Sequence, residues 1–143
     1  MATYQSVGYL NSPNSFQGAT VSGGMLAFYF EVPITTALTT SDAINFGVVP
    51  KGFRLLGGCL ESTDMDSGTT VTLNVGDSGS ATRLFSAATV AQAATADRAM
   101  LIAGQHYLYT SDTVITGVAA AGPATTTGTL YLSLYGRFEG SAS

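Results

Sequence analysis

Residue types that could carry chemistry occur in two short polar motifs, at one cysteine and at one histidine. The run Gly76-Asp77-Ser78-Gly79 has the residues that surround the nucleophilic serine of chymotrypsin-like proteases. Such a triad needs a histidine and an aspartate upstream of the serine, yet the only histidine, His106, follows it. Ser80 also stands where that motif usually has a second glycine. We therefore predict a tight β turn here, no catalytic residues and no enzymatic activity.

The segment Asp64-x-Asp66-x-Gly68 has the alternating acidic residues of a calcium loop. In an EF-hand the glycine comes one position later, and a glutamate at the twelfth position closes the loop. Here Val75 occupies the twelfth position. An ion could be held between Asp64, Asp66 and Asp77 only if their loops converge. The alternative is that these side chains cap their own turns, and we predict no metal and no cofactor.

Cys59 is the single cysteine, and it stands in an apolar stretch, so no intrachain disulfide can form. Free cysteine is usually a small buried side chain, which we expect here. His106 has no partner histidine, cysteine or carboxylate close to it in sequence. The longest apolar run, Met25 to Phe30, is far shorter than the ~20 residues of a membrane helix. We predict no membrane contact and no N-terminal signal segment.

The most informative property of the composition is its low charge. Only 10% of the residues are charged, against about 25% in an average protein. The net charge is −4 and the five basic residues are scattered, which argues against nucleic-acid binding. A soluble monomer normally keeps a densely charged surface. The composition therefore predicts a component of an assembly, with much of its surface covered by partners.

Most of the chain shows the alternation of apolar and polar residues that is typical of β-strands. Apolar residues alternate from Met25 to Val32, where Pro33 is expected to end the strand, and again from Gly128 to Phe138. Phe53–Thr63 and Thr69–Val75 flank the Asp64–Gly68 turn and read as a hairpin. The pair Gly57-Gly58 predicts a bulge or a close backbone approach. The predicted core comprises Phe28, Phe30, Val71, Leu73, Val75, Leu130, Leu132 and Leu134.

At 143 residues the chain is most simply one domain. We predict an irregular N-terminal arm over residues 1–24, without core periodicity, and a single β-sandwich domain over residues 25–143. The expected fold is all-β, an antiparallel jelly-roll-like sandwich with at most one short helix near Ser86 to Ala94. An immunoglobulin-like sandwich is the alternative topology.

Tyrosines mark the candidate contact surface. Tyr131, Tyr135 and Arg137 face one way on the last strand, and Tyr29 could join them from a neighbouring strand. Tyrosine is enriched at protein–protein interfaces, and tyrosine rings also stack on sugars. Because lectins usually favour tryptophan, which this chain lacks, we take the four residues as candidates for a protein–protein interface, with further copies of the chain or with a partner protein.

The middle of the chain resembles a known class of proteins. Residues 52–60 and 63–77, which end in Gly76-Asp77, are followed by Arg83-Leu84-Phe85 and an Ala-rich segment. This sequence is similar to tailed-bacteriophage capsid proteins, in particular small decoration (cement) proteins. The resemblance implies a jelly-roll-like homotrimer made in the host cytoplasm, which binds the major capsid protein on the outer capsid surface of the virion. The resemblance implies no catalytic residues.

Two other function classes stay open at this point. One is a carbohydrate-binding jelly-roll module, and the other is a different structural virion component, such as a tail or head–tail connector protein. A small β-barrel enzyme would need a convergent set of polar side chains, which the sequence does not offer.

Overall fold

The computed structural model describes residues 2–5, 20–22 and 25–139, with only the backbone described for 20–22. Within these residues a single-turn 3₁₀ helix (Val90–Gln92) accompanies ten strands. The strands are β1 (Thr3–Gln5), β2 (Thr20–Ser22), β3 (Met25–Ile34), β4 (Ala43–Val49), β5 (Phe53–Ser62), β6 (Thr72–Gly76), β7 (Phe85–Ala88), β8 (Ala96–Asp97), β9 (Thr113–Ala121) and β10 (Gly128–Phe138). No helix in this part of the chain has the length and apolar character needed to cross a membrane.

The strands form two five-stranded sheets, in the orders β1-β4-β9-β6-β7 and β2-β3-β10-β5-β8. We call them the β9 sheet and the β10 sheet. From β3 onward the strands form four antiparallel pairs within these sheets: β3 with β10, β4 with β9, β5 with β8, and β6 with β7. This is the path of a long antiparallel ribbon folded over on itself, which is the jelly roll. The predicted jelly-roll sandwich is confirmed, and the immunoglobulin-like order is not the one observed.

The core lies between the two sheets, where the alternating apolar side chains meet. All eight predicted core residues are at most 2% exposed. Phe28 contacts Phe53 edge to face at a centroid distance of 5.1 Å. On β3, exposed and buried residues alternate without a break from Met25 to Ile34. The period of two in the sequence therefore identified the buried face correctly.

The predicted hairpin around Asp64–Gly68 is wrong, because β5 and β6 belong to different sheets. The connecting segment is a corner that crosses the end of the sandwich. Met65 is fully buried in this corner, and its N–H donates to Ala91 O at 2.9 Å. Two strands that face each other across a core show the same alternation as two paired strands. The sequence pattern could not separate these arrangements.

One smaller expectation is corrected and another is confirmed. Pro33 does not end β3, which continues to Ile34 with Pro33 paired to Thr129 of β10. A proline is tolerated there because β2 pairs only with residues 25–27, so at Pro33 the described part of β3 has one neighbouring strand. The single short helix expected near Ser86 to Ala94 is present as the 3₁₀ helix Val90–Gln92, which follows the end of β7. Ala87 and Ala94 have φ of 52°, which a right-handed helix does not accommodate.

The described parts of the N-terminal segment join both sheets. β1 pairs in parallel with β4, and β2 pairs antiparallel with β3. The Asp42 carboxylate accepts the Ala2 N–H at 2.9 Å, and Tyr4 is 7% exposed within the core. Tyr4 is therefore a core side chain in a segment whose sequence shows no core periodicity. Residues 6–19 lie outside the described residues, and the domain boundary at residue 24 stays a prediction.

Candidate interaction surface

The four predicted interface residues lie on the outer surface of the β10 sheet. On the strand β10, Leu130, Leu132 and Leu134 point into the core, so the side chains between them point outward. In the ladder, Tyr131 is opposite Glu31 and Glu61, Ser133 is opposite Tyr29 and Cys59, and Tyr135 is opposite Ala27 and Gly57. We call this outer surface of β3, β10 and β5 the tyrosine face.

Aromatic rings occupy the central part of the tyrosine face. The rings of Tyr29 and Tyr131 stack with centroids 6.4 Å apart and an interplanar angle of 22°. Tyr29 is 54% exposed and Tyr135 is 51% exposed. The pKa of Tyr29 is raised, by partial burial and by the nearby carboxylates of Glu31 and Glu61. Its hydroxyl therefore stays neutral and able to donate a hydrogen bond at physiological pH.

The position of Tyr135 depends on Gly57. A Cβ atom on Gly57 would overlap the Tyr135 ring and its hydroxyl. The β5–β10 register also shifts here, between Tyr135 and Gly136, as expected for a bulge. The predicted bulge is thus confirmed, and the predicted close backbone approach is found at Gly58, where a Cβ atom would overlap the Ser133 carbonyl oxygen. The missing side chain of Gly57 lets the Tyr135 ring lie down on the sheet instead of standing away from it.

Beside Tyr135 the face contains a shallow depression of about 370 Å³. Its lining residues are Gly58, Cys59, Glu61, Arg98, Ser133 and Tyr135. Arg98 Nη2 lies 3.8 Å from Glu61 Oε1, and 76% of the Arg98 side chain is exposed. Cys59 was expected to be buried in the core, but its thiol is half-buried on this outer face. Partial burial raises the pKa of the thiol and keeps it protonated.

One end of the tyrosine face holds a cluster of charges. Arg54 binds Glu139 through two hydrogen bonds, of 2.6 Å from Nε and 3.2 Å from Nη2. Its Nη1 donates to the carbonyl of His106 at 2.8 Å. Arg137 lies 3.9 Å from Glu139, and 67% of its side chain is exposed. The Arg54 hydrogen bonds lower the pKa of Glu139. Arg137 is therefore the member of this cluster most available to a partner.

The two sheets differ sharply in their exposed side chains. Every large hydrophobic side chain that is exposed among the described residues belongs to β3, to β10 or to the loop 98–106: Met25, Tyr29, Leu101, Ile102, Tyr135 and Phe138. The β9 sheet contributes none of them. Its strands also contain no charged residue, whereas β3, β5, β8 and β10 carry Glu31, Arg54, Glu61, Asp97 and Arg137. The side chains suited to recognition are concentrated on one side of the sandwich.

The protease-like motif is a structural turn. Asp77 is 5% exposed, and its carboxylate accepts the backbone N–H groups of Gly79 and Ser80. Arg83 Nε donates to Asp77 Oδ2 at 2.7 Å, and the Tyr109 hydroxyl donates to the same oxygen at 3.0 Å. Burial acts to raise the pKa of Asp77, but these hydrogen bonds outweigh it and the pKa is lowered.

Arg83 connects this turn to the neighbouring loop. Its guanidinium lies 3.7 Å from the centroid of the Tyr107 ring, a cation–π contact. The Gly-Asp and Arg-aromatic elements of the resemblance are therefore partners in one buried ion pair. Sequence reasoning missed this pairing, although two opposite charges six residues apart in a charge-poor chain were a signal for it.

The acidic turn is capped in the same way. The Asp66 carboxylate accepts the N–H groups of Gly68, Thr70 and Val71 at 2.8–3.1 Å, and these bonds lower its pKa. Asp66 and Asp77 thus each cap their own loop. Across the part of the chain that the structure describes, no group of three His, Cys, Asp or Glu side chains could hold a metal ion.

His106 is exposed at a loop position with φ of 68°. Its backbone N–H donates to Leu55 O at 2.6 Å, and its carbonyl accepts from Arg54. Both interactions use the backbone, so this geometry explains the position of the residue without any role for the imidazole.

Comparisons with known proteins place the chain among phage capsid components. No protein-family model and no curated protein matches it. A chain in the solved cyanophage Pam1 capsid asymmetric unit is 35% identical, with a TM-score of 0.71 over 89% of this chain and 98% of that one. A chain in the capsid of Ralstonia phage GP4 is 24% identical with a TM-score of 0.78, over 94% of this chain and 97% of that one.

A third solved structure, the acid-stable capsid of Helicobacter pylori bacteriophage KHP30, contains a chain with 14% identity and a TM-score of 0.54. This match covers 81% of our chain and 90% of that one. The last two similarities concern the fold alone. The similarity to Pam1 extends further, because it combines 35% identity with nearly complete coverage of both chains. The protein therefore belongs to the same family as this Pam1 capsid chain, and it is a structural component associated with the phage capsid.

Proposed function

We propose that this protein is a decoration, or cement, component that binds the outside of an assembled phage capsid and stabilises it. The observation that carries the proposal is the one-sided distribution of exposed aromatic and charged side chains on the tyrosine face. Aromatic residues and arginine are the residue types enriched at protein interfaces. The 35% identity to a chain of the Pam1 capsid asymmetric unit supports the capsid as the partner.

The mechanism is binding without turnover. A ligand that binds the assembled shell, and not its separate subunits, shifts the equilibrium toward the shell by mass action. Because a capsid offers many equivalent sites, a modest free energy at each site adds up over the particle. The arrangement of side chains described above needs no catalytic group to do this.

We further propose that the protein acts as a homotrimer, with the tyrosine face at the contact between copies. The residues for this contact are Tyr29, Tyr131, Tyr135 and Arg137. In a trimer with a three-fold axis, each contact joins two different surfaces of neighbouring copies. The tyrosine face of one copy would supply one of these two surfaces. The low overall charge supports an oligomer, because 10% charged residues leave large areas without a charged cover.

The test compares two matched variants on particles from a phage deleted for this gene. Ser133 and Thr116 are half-buried hydroxyl residues on the outer surfaces of β10 and β9, the central strands of their sheets. We expect Ser133→Lys to lose oligomerisation in light scattering and to bind particles poorly, since it places a charge among the tyrosines. Thr116→Lys should behave like the wild type.

Equal loss in both variants would contradict the assignment to the tyrosine face. Absence of binding by the wild-type protein would contradict the cement function itself. Electron microscopy of saturated particles then separates the alternatives by location. Many copies over the head agree with decoration, whereas a few copies at one vertex would indicate a tail or connector protein.

A second candidate function rests on the depression beside Tyr135. It combines a half-exposed aromatic ring with the Glu61 carboxylate, the Arg98 guanidinium and the Ser133 hydroxyl. These groups could stack on a sugar ring and bind its hydroxyls. A glycan array with the purified protein tests this function, and Tyr135→Ala should abolish any signal it gives. An array without signal removes the candidate.

A further inference from the structure

The loop beside β5 ends in an exposed apolar tip. Leu101, Ile102 and Ala103, which we call the apolar tip, are three consecutive exposed residues. Ile102 is 88% exposed and Leu101 is 38% exposed. Isolated exposed apolar residues are common on protein surfaces. A run of three at the end of a loop is unusual unless it has a function.

The tip is held firmly by its surroundings. The Leu101 N–H donates to Leu84 O at 2.9 Å, and the Leu101 carbonyl accepts from Gly104 and Gln105. Met100, directly before the tip, is 4% exposed, and its carbonyl accepts from Gln105 Nε2 at 2.8 Å.

Gly104, directly after the tip, packs so closely against the Arg83 carbonyl and the Leu84 side chain that a Cβ atom would need them to shift. The backbone on both sides of the tip is therefore fixed to the sandwich. The exposure of Ile102 belongs to a rigid, preorganised projection.

The size of the tip indicates what kind of contact it can make. The side chains of Leu101 and Ile102 together offer on the order of 200 Å² of apolar surface. A stable contact between two proteins buries about 800 Å² on each partner. The tip therefore cannot hold two copies of the chain together by itself. It is suited to be one anchor within a larger contact, as a side chain that fills a pocket.

We propose that the apolar tip inserts into an apolar pocket of the capsid shell protein. This inference rests on the proposed cement function and names the anchor by which each copy engages the shell. An anchor that is weak in one copy becomes effective when linked copies engage several sites at once. Such an anchor favours the assembled shell, which presents its sites in an array, over a free subunit.

The experiment uses Ile102→Ser, with Ile102→Leu as the matched apolar control. Each purified full-length variant is titrated onto particles from the deletion phage, and bound protein is measured by cosedimentation. We expect Ile102→Ser to raise the apparent Kd at least about tenfold, and Ile102→Leu to stay within about threefold of the wild type. Melting temperature and oligomeric state should be unchanged in both, because the side chain is exposed.

Two results would overturn the inference while leaving the cement function intact. One is an Ile102→Ser protein that binds particles like the wild type. The other is an Ile102→Ser protein with a smaller oligomeric state, which would make the tip a contact between copies. If the wild-type protein does not bind the particles, the cement function fails, and this inference fails with it.

Discussion

At the scale of single residues, Asp77 is a buried carboxylate that connects several parts of the fold. It joins the Gly76–Ser80 turn to Arg83 and Tyr109 while only 3% of its side chain is exposed. Replacement by asparagine removes the negative charge and leaves the guanidinium of Arg83, 14% exposed, without its partner. Breaking a buried pair in this way costs about 3 kcal/mol.

We therefore predict that Asp77→Asn lowers the melting temperature by about 10 °C, as measured by circular dichroism. Ser78→Ala, in the adjacent position of the same turn, is the matched control and should melt like the wild type. A wild-type melting temperature for Asp77→Asn would show that the pair contributes nothing to stability.

The same carboxylates predict how stability depends on pH. The pKa values of Asp42, Asp66, Asp77 and Glu139 are all lowered in the folded state. A lowered pKa gives stability that is present above the unfolded-state value, near 4, and is lost as the pH falls through the folded-state value. The melting temperature should therefore be nearly level from neutral pH down to about pH 5 and fall steeply below about pH 4.

The decrease should be shallower in Asp77→Asn, which lacks one of the four groups. A melting temperature that rises on acidification below about pH 4 would contradict the lowered pKa values.

At the scale of elements, the N-terminal strand β1 belongs to the folded domain more than its sequence indicates. Tyr4 is the side chain that anchors it, with its ring in the core and its hydroxyl against Thr36. We predict that Tyr4→Ala costs about 3 kcal/mol in the free energy of unfolding. Tyr4→Phe keeps the ring and should cost about 1 kcal/mol.

Urea unfolding of both variants measures these values. A Tyr4→Ala protein as stable as the wild type would mean that β1 contributes nothing to the stability of the domain.

The elements also show what sequence reasoning could and could not give. The long strands β3 and β10 alternate over ten and eleven residues, and a period of two identifies their buried faces without further information. The pairing of β5 with β6 was predicted wrongly because strands in one sheet and strands in facing sheets share that period. Three-residue strands such as β1 are too short for any period. Their position depends on tertiary contacts such as the bond from Ala2 to Asp42.

The make-up of the candidate interaction surface was predictable to the same extent. Tyr131, Tyr135 and Arg137 follow from the alternation of the last strand, and Tyr29 follows from the alternation of β3. The register that places Tyr29 opposite Ser133 comes only from the structure. The depression beside Tyr135 was not predictable, because it requires Cys59, Glu61 and Arg98 from other strands and loops. The apolar tip was not predictable, because the run Met100-Leu101-Ile102 has no alternation that separates buried from exposed positions. Only the structure separates the buried Met100 from the exposed Ile102.

At the scale of the whole molecule, the fold combines two sides of different character. The β10 sheet carries the exposed tyrosines and the charged residues of the strands, while the strands of the β9 sheet are uncharged. Electrostatic and aromatic groups on one side provide specificity for a partner and fix its orientation. The few charged residues of the strands therefore all lie on the β10 sheet, and the outer surface of that sheet is the candidate contact surface.

The proposed function makes a final prediction for the intact particle. When the concentration of free protein is one hundred times the Kd, each binding site stabilises the assembled shell by about 2.7 kcal/mol. A shell presents many such sites. Particles without this protein should assemble but release their DNA at a lower temperature, measured by the fluorescence of a DNA-binding dye during heating. Added wild-type protein should raise the release temperature until the sites are saturated. Thr116→Lys should do the same and Ser133→Lys should not.

If saturating wild-type protein leaves the release temperature unchanged, then binding does not stabilise the shell, and the protein decorates the capsid without cementing it.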